Sequence, residues 1–290
     1  MQEPLLGSQK KKRHETMNTK ESYQLGGQSL LLGDSLKLLP EINEKFDACI
    51  TDPPYNISGY DNKKTIGWLK SSPYWKEKKG FNKIDAEWDK FSDVEYLSFT
   101  EKWLELVCDK IKPNGNILIF GTYHNIYKMG YLLEQMGKKI MNSIVWYKRN
   151  AFPNITNRML CESTEHIVWA VNNDKKKATN WTFNYNLLKE LNGGKQMRNV
   201  WDIPMTPTSE RKMGKHPSQK SMEVIKRLVL GFTNEGDHIL DPFMGSGTVP
   251  LVCLNEGRKT LCIEKEKEYF DLTKRRLIEE KTNTKMGDYE

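Results

Sequence analysis

Two short stretches of this 290-residue chain carry residue types that could do chemistry together. The first is Asp52-Pro53-Pro54-Tyr55, which follows the apolar run 46–50. Such a run reads as a buried strand, and two prolines then forbid both helix and further ladder pairing. The stop leaves a carboxylate, two proline carbonyls and an aromatic ring at a strand's C-terminal edge, where ligands bind in open α/β sheets. A carboxylate beside a flat ring suits an amino group on a planar heterocycle. Taken alone, the four residues could equally be a rigid surface turn.

The second stretch supplies a partner. A strand over 238–240 runs into Asp241-Pro242-Phe243-Met244-Gly245-Ser246-Gly247-Thr248, and a helix follows over 248–255. Gly245 and Gly247 let the backbone pass close to a ligand and start a helix tightly. Glu264 stands at the tip of the next strand, where a carboxylate accepts hydrogen bonds from ribose hydroxyls. The third glycine of a dinucleotide fingerprint and a Walker lysine are both missing, so phosphate cradling is not indicated.

The elements that must position these residues alternate. Strands are expected over 28–32, 46–50, 116–120, 140–147, 166–171, 238–240 and 260–263. Helices are expected over 35–42, 94–111 (capped by Ser92 or Asp93), 125–135, 248–255 and 266–280, with one more running from a Ser218 cap to Phe232. Alternation implies a largely parallel sheet, and the two adjacent strands before residue 172 imply an antiparallel edge. Residues 1–22 read as a flexible basic tail, 23–171 as a catalytic half, 172–215 as an insertion and 216–290 as the cofactor half. The stretch 56–90 mixes lysines with Tyr60, Trp68, Tyr74 and Trp75, a composition that suits nucleic-acid contact or a merely solvated loop. The insertion adds Trp181, Phe183, Tyr185 and Trp201, able to pack, and polar residues able to read bases.

Composition narrows the class. The net charge of +7 is compatible with a polyanionic partner. No apolar run has the length of a membrane span and no signal peptide opens the chain, so a cytoplasmic protein is expected. Cys49, Cys108, Cys161, Cys253 and Cys262 are scattered, which argues against disulfide and metal frameworks.

Together, Asp52 to Tyr55 and Asp241 to Thr248 resemble the signature of the DNA amino-methyltransferases. The catalytic stretch precedes the cofactor turn, the permuted order of the β group. Gly33-Asp34, Asn114-Gly115 and His216-Pro217-Ser218-Gln219-Lys220 support the likeness. TYHNIYKMGYLLEQMG, FNYNLLKELNGGKQMRNVW and AEWDKF resemble, more narrowly, the HinfI-type and DpnA-type methylases. The resemblance implies a Rossmann-like class I methyltransferase fold with a mostly parallel seven-stranded sheet, an antiparallel edge strand and a small target-recognition insertion. It implies methyl transfer from S-adenosylmethionine to adenine N6 in a short site such as GATC or GANTC, beside a cognate restriction enzyme linked by system and not by contact. Single-stranded DNA and homodimerisation stay open.

The resemblance also implies roles. Asp52 and the Pro53 carbonyl orient the amino group, Pro54 completes the turn and Tyr55 stacks on a flipped base. Glu264 takes the ribose; Asp241, Phe243, Gly245, Gly247 and Thr248 form the methionine turn. Ser218 and Lys220 fall near the cofactor's carboxylate, with a first-turn surface lysine as the alternative for Lys220. Asp34 falls near the cofactor's adenine, or is only a helix cap. DNA contacts are expected from Lys148, Arg149, Lys195, Gln196, Arg198 and Arg211. Ser221 stands where the family usually has proline. Cytosine-N4 methylation is the nearest rival, but that group usually carries serine at the position of Asp52. A catalytically silent DNA-binding partner is the rival from another class.

Overall fold

The computed structural model describes residues 21–56, 91–154, 158–174, 177–214 and 218–287. Most of the basic tail, the lysine-aromatic stretch from residue 57 to 90, and His216-Pro217 lie outside the described residues. A mixed sheet organises the rest, with β1 Glu21–Leu25, β2 Gln28–Leu32, β3 Phe46–Thr51, β4 Ile111–Gly121, β5 Lys138–Tyr147, β6 Thr164–Asp174, β7 Val200–Asp202, β8 His238–Asp241 and β9 Lys259–Glu264. Their spatial order is β1-β2-β9-β8-β3-β4-β6-β5-β7. The block from β2 to β4 is parallel, β6 is antiparallel to both neighbours, β7 runs parallel to β5, and β1 closes an antiparallel hairpin on β2.

The seven expected strands are present, and the described residues add two. Strand β1 turns into β2 through Gly26 and Gly27, both at positive φ (58° and 85°), as a two-residue hairpin requires. Its polar, alternating sequence gives little apolar signal, so Glu21 and Ser22 read as tail. The second addition, β7, is only three residues long. The antiparallel strand β6 lies inside the sheet and not at its edge, because a loop returns the chain from β5 directly alongside it.

Among the described residues, seven helices flank the sheet: α1 Ser35–Leu38, α2 Asp93–Lys110, α3 Ile126–Gln135, α4 Tyr185–Leu191, α5 Met222–Phe232, α6 Thr248–Asn255 and α7 Lys267–Gly287. Ser92 caps α2 in a reciprocal box with Glu95. The expected break at Pro113-Asn114-Gly115 is a bulge inside β4. There the register jumps from Phe46 opposite Ile111 to Ala48 opposite Asn116, with Asn114 at φ 65°. Ser218 does not cap α5, whose N-cap is Ser221. The residues before it enter the interior instead, and Lys220 is only 5% exposed.

Strand β4 shows how both faces are covered. Ile117 and Ile119 pack with Trp103 and Leu104 of α2 and Met129 and Leu133 of α3. Leu118 and Phe120 point the other way, into a cluster with Leu228 of α5 and Val252 of α6. The inserted stretch joins this second cluster. Phe183 stacks on Trp169 at 5.3 Å and Trp201 is buried, so these two aromatics pack. Asn116 fastens the junction: its amide donates to the carbonyls of Thr182 and Phe232, both at 2.8 Å, and its oxygen accepts from the Trp169 indole at 2.8 Å. A buried group satisfied three times is costly to delete. Asn116→Ala should therefore destabilise the fold by about 2–4 kcal/mol, seen as a lower melting temperature. An unchanged melt would show that the insertion does not depend on this junction.

Candidate active site

The C-terminal ends of β2, β3, β8 and β9 converge on one cavity of about 330 Å³. The two stretches singled out from sequence meet there across adjacent strands. Thr51, the last residue of β3, donates its hydroxyl to the Asp241 carboxylate at the end of β8, at 2.8 Å. Asp52, Pro53, Pro54 and Tyr55 form one wall. Asp34, Ser218, Lys220, Asp241, Phe243, Gly245, Thr248 and Glu264 also face the cavity. Gly247 lies just behind it, left-handed (φ 75°) at the start of α6. A Cβ there would come within 2.3 Å of the Thr273 methyl, so the position needs glycine.

On the catalytic wall, charges are paired. The Lys220 ammonium lies 2.6 Å from Asp52 Oδ2 and 3.2 Å from Glu165 Oε2. Lys148 reaches the other side of Glu165, 3.1 Å from Oε1. Tyr55 donates its hydroxyl to Asp52 Oδ1, and the Lys220 ammonium sits 5.1 Å from the centre of its ring. Burial pushes the Asp52 carboxyl above its usual range, helped by Glu165 and opposed by Lys220. Burial would raise Glu165 too, but Lys220 and Lys148 outweigh it and hold that carboxyl low. For Lys220 burial works downward, and the two carboxylates more than compensate. The four side chains thus form one contact network of two lysines against two carboxyls.

The other wall is built from backbone donors and acids. Gly245 N–H and Glu266 N–H each donate to the Glu264 carboxylate at 2.8 Å. Burial pushes Glu264 up to about 7 despite those bonds, and pushes Asp241 up to about 7 as well. Two buried carboxyls pushed up in this way favour a ligand that brings hydroxyl donors and positive charge, and among the described residues no cation is paired with them. Asp34 accepts from Leu36 N–H at 3.0 Å as the cap of α1, and it also lines the cavity.

The structure alters several expectations. Lys220 is neither a surface lysine nor placed beside the cofactor wall alone, since its ammonium rests on Asp52. Lys148 is turned inward onto Glu165. Arg149 pairs with Asp202 at 2.8 Å, both largely exposed. Lys195, Gln196 and Arg198 are exposed around the turn after α4, outside the cavity, and Arg211 is half-buried near α5. Glu165 was missed. It stands in the polar run Glu162-Ser163-Thr164-Glu165, where neither motif nor periodicity separates it from its neighbours, and only the meeting of β6 with Lys220 reveals it.

Among the described residues no group of acidic, histidine or cysteine side chains could hold a metal ion, and no helix is long and apolar enough to cross a membrane.

The sequence model of the DNA methylase family matches residues 46–275. The Type II methyltransferase M2.LlaDCHI of Lactococcus lactis subsp. cremoris is 42% identical over 262 residues, covering 89% of this chain and 92% of its own length. M2.DpnII of Streptococcus pneumoniae is 41% identical over 269 residues, covering 91% and 95%. Among solved structures, the M1.HpyAVI–SAM complex is 28% identical with a TM-score of 0.61, over 86% of this chain and 98% of that one. The cytosine-N4-specific PvuII DNA methyltransferase shares the fold at 19% identity, with a TM-score of 0.66 over 89% of this chain and 90% of its own. By a match that runs from the catalytic strand into the last helix, this chain belongs to the DNA methylase family.

Proposed function

We propose that this S-adenosylmethionine-dependent DNA methyltransferase methylates N6 of an adenine turned out of its helix. S-adenosylmethionine supplies an electrophilic sulfonium methyl when bound. The cavity's chemistry fits it: buried acids, an aromatic side chain at Phe243 and no phosphate cradle. Glu264 would hold the ribose, Asp241 and Gly245 to Thr248 the methionine portion, and Ser218 and Asp34 the remaining rim.

The observation that carries the adenine reading is the Asp52 carboxyl at the end of β3, lining the cavity and paired with the Lys220 ammonium at 2.6 Å. Adenine's N6 lone pair is delocalised into the ring, so the amine is a poor nucleophile. Hydrogen bonds from its two N–H groups to Asp52 and to the Pro53 carbonyl favour the pyramidal nitrogen of the transition state and aim it. Tyr55 stacks on the base. Lys220 opposes the burial that would otherwise protonate Asp52. A weak base such as Asp52 serves mainly as an acceptor.

Several relatives are named Type II methyltransferases, which supports a role beside a restriction enzyme in the cytoplasm of a bacterial, archaeal or phage-infected cell. The proposed target is a short adenine site such as GATC or GANTC, supported by the sequence's resemblance to HinfI-type and DpnA-type methylases; single-stranded DNA as a substrate and homodimerisation stay open. Arg149, Lys195, Gln196, Arg198 and Arg211 are assigned to DNA. Arg149's exposed pair with Asp202 is weak enough to be exchanged for a phosphate. Lys148 can reach DNA only by leaving Glu165.

Digestion of treated DNA to nucleosides, followed by mass spectrometry, should reveal N6-methyladenine; N4-methylcytosine in its place would refute the reading. Asp52→Ala should lower transfer by roughly a thousandfold or more while cofactor affinity stays near wild type, the loss expected when the acceptor that orients the nucleophile is removed. Glu264→Ala should do the reverse at the binding step, weakening cofactor affinity about 10–100-fold. Calorimetric titration with S-adenosylmethionine separates the two variants.

A further inference from the structure

Two consecutive prolines present two carbonyls at the end of β3, and the proposed chemistry uses the first. The second is taken. The Tyr96 hydroxyl, from the start of α2, donates to the Pro54 carbonyl at 2.8 Å. Tyr96 is 1% exposed and packs against Phe91 and Phe99. Its hydroxyl is in turn 3.0 Å from the side-chain nitrogen of Asn125, which is completely buried.

The direction of this chain is fixed by its far end. Thr122 N–H, in the turn after β4, can only donate, and it meets the Asn125 side-chain oxygen at 2.8 Å. That leaves the amide nitrogen of Asn125 facing Tyr96. The nitrogen can only donate, so the Tyr96 hydroxyl accepts from it and gives its own proton to Pro54. A phenol that accepts one bond donates a stronger one, because linked hydrogen bonds polarise each other.

We propose that Tyr96 is a positioning residue for methyl transfer, with Asn125 orienting its hydroxyl. The proline rings already fix φ at both positions, so ψ is the remaining freedom of this turn. Holding the Pro54 carbonyl against α2 sets the peptide plane between Pro54 and Tyr55. The turn is then held at both ends, since the Tyr55 hydroxyl is bound to Asp52. Between those anchors the Pro53 carbonyl is presented to the base. Tyr96 touches neither the base nor the methyl donor in this account. It acts through backbone geometry, and it selects which proline carbonyl serves as acceptor. This inference rests on the proposal that Asp52 and Pro53 orient N6.

The test is single-turnover methyl transfer at saturating DNA and S-adenosylmethionine, for Tyr96→Phe, Asn125→Ala and Asp52→Ala. Tyr96→Phe keeps the ring and removes the proton donor. Its rate should fall about tenfold, the scale expected for a misplaced acceptor, with cofactor affinity within about twofold of wild type, as for groups outside the binding contacts. Asn125→Ala keeps the hydroxyl but loosens it, and should cost a smaller factor of about three. A wild-type rate for Tyr96→Phe overturns the proposal. So does a fall in rate matched by an equal loss of cofactor affinity, which would mark a structural role only. If Tyr96→Phe does not fold, Asn125→Ala decides by the same two criteria. Asp52→Ala separates the two levels: if it too keeps its rate, the reading of Asp52 has failed, and not the tyrosine's part alone.

Discussion

The bond between Lys220 and Asp52 is the constraint on which the site depends. It joins residues 168 positions apart, one at the end of β3 and one just before α5. Isolated burial of either charge would cost several kcal/mol, and removing one partner strands the other. Glu165 and Lys148 complete a set of four. Because the four side chains come from β3, β6, the residue after β5 and the segment before α5, the cluster forms only when the sheet order is complete.

The two walls of the cavity differ in what opposes burial. On the Asp52 side lysines oppose it: Glu165 is held below its usual range, and Lys220 limits the rise of Asp52. On the other side Glu264 and Asp241 have backbone and hydroxyl donors but, among the described residues, no cation, and burial pushes both up to about 7. Similar side chains a few ångströms apart thus receive different properties from their surroundings. Thr51 ties the walls together through Asp241, so the acceptor and the cofactor turn cannot move independently.

Much of this was legible in the sequence because it depends on local signals. Proline pairs, the Gly-x-Gly turn and apolar runs placed Asp52, Gly245 and all seven long strands without tertiary information. What depends on non-local partners was not legible. Resemblance places Lys220 at the site, but its pairing with Asp52 and Glu165 emerges only when the chain before α5 is seen to enter the interior. Glu165 and Tyr96 have no motif, since their importance lies in whom they meet. Strand β1 is amphipathic and polar, and β7 is too short to carry a period; Gly26-Gly27 was the usable hairpin signal for the first.

The central claim is that Lys220 opposes the rise that burial imposes on the Asp52 carboxyl. Removing it in Lys220→Met leaves Asp52 with burial and Glu165, which both raise its pKa, against the Tyr55 hydroxyl, while Lys148 still faces Glu165. The acceptor is then lost on acidification at a higher pH than in the wild type. The direct measurement is the pH profile of kcat/KM for DNA in both proteins. The acid limb should move to higher pH by about one unit or more, since each unit corresponds to about 1.4 kcal/mol of lost charge stabilisation. An acid limb that stays in place, or moves to lower pH, would contradict the account.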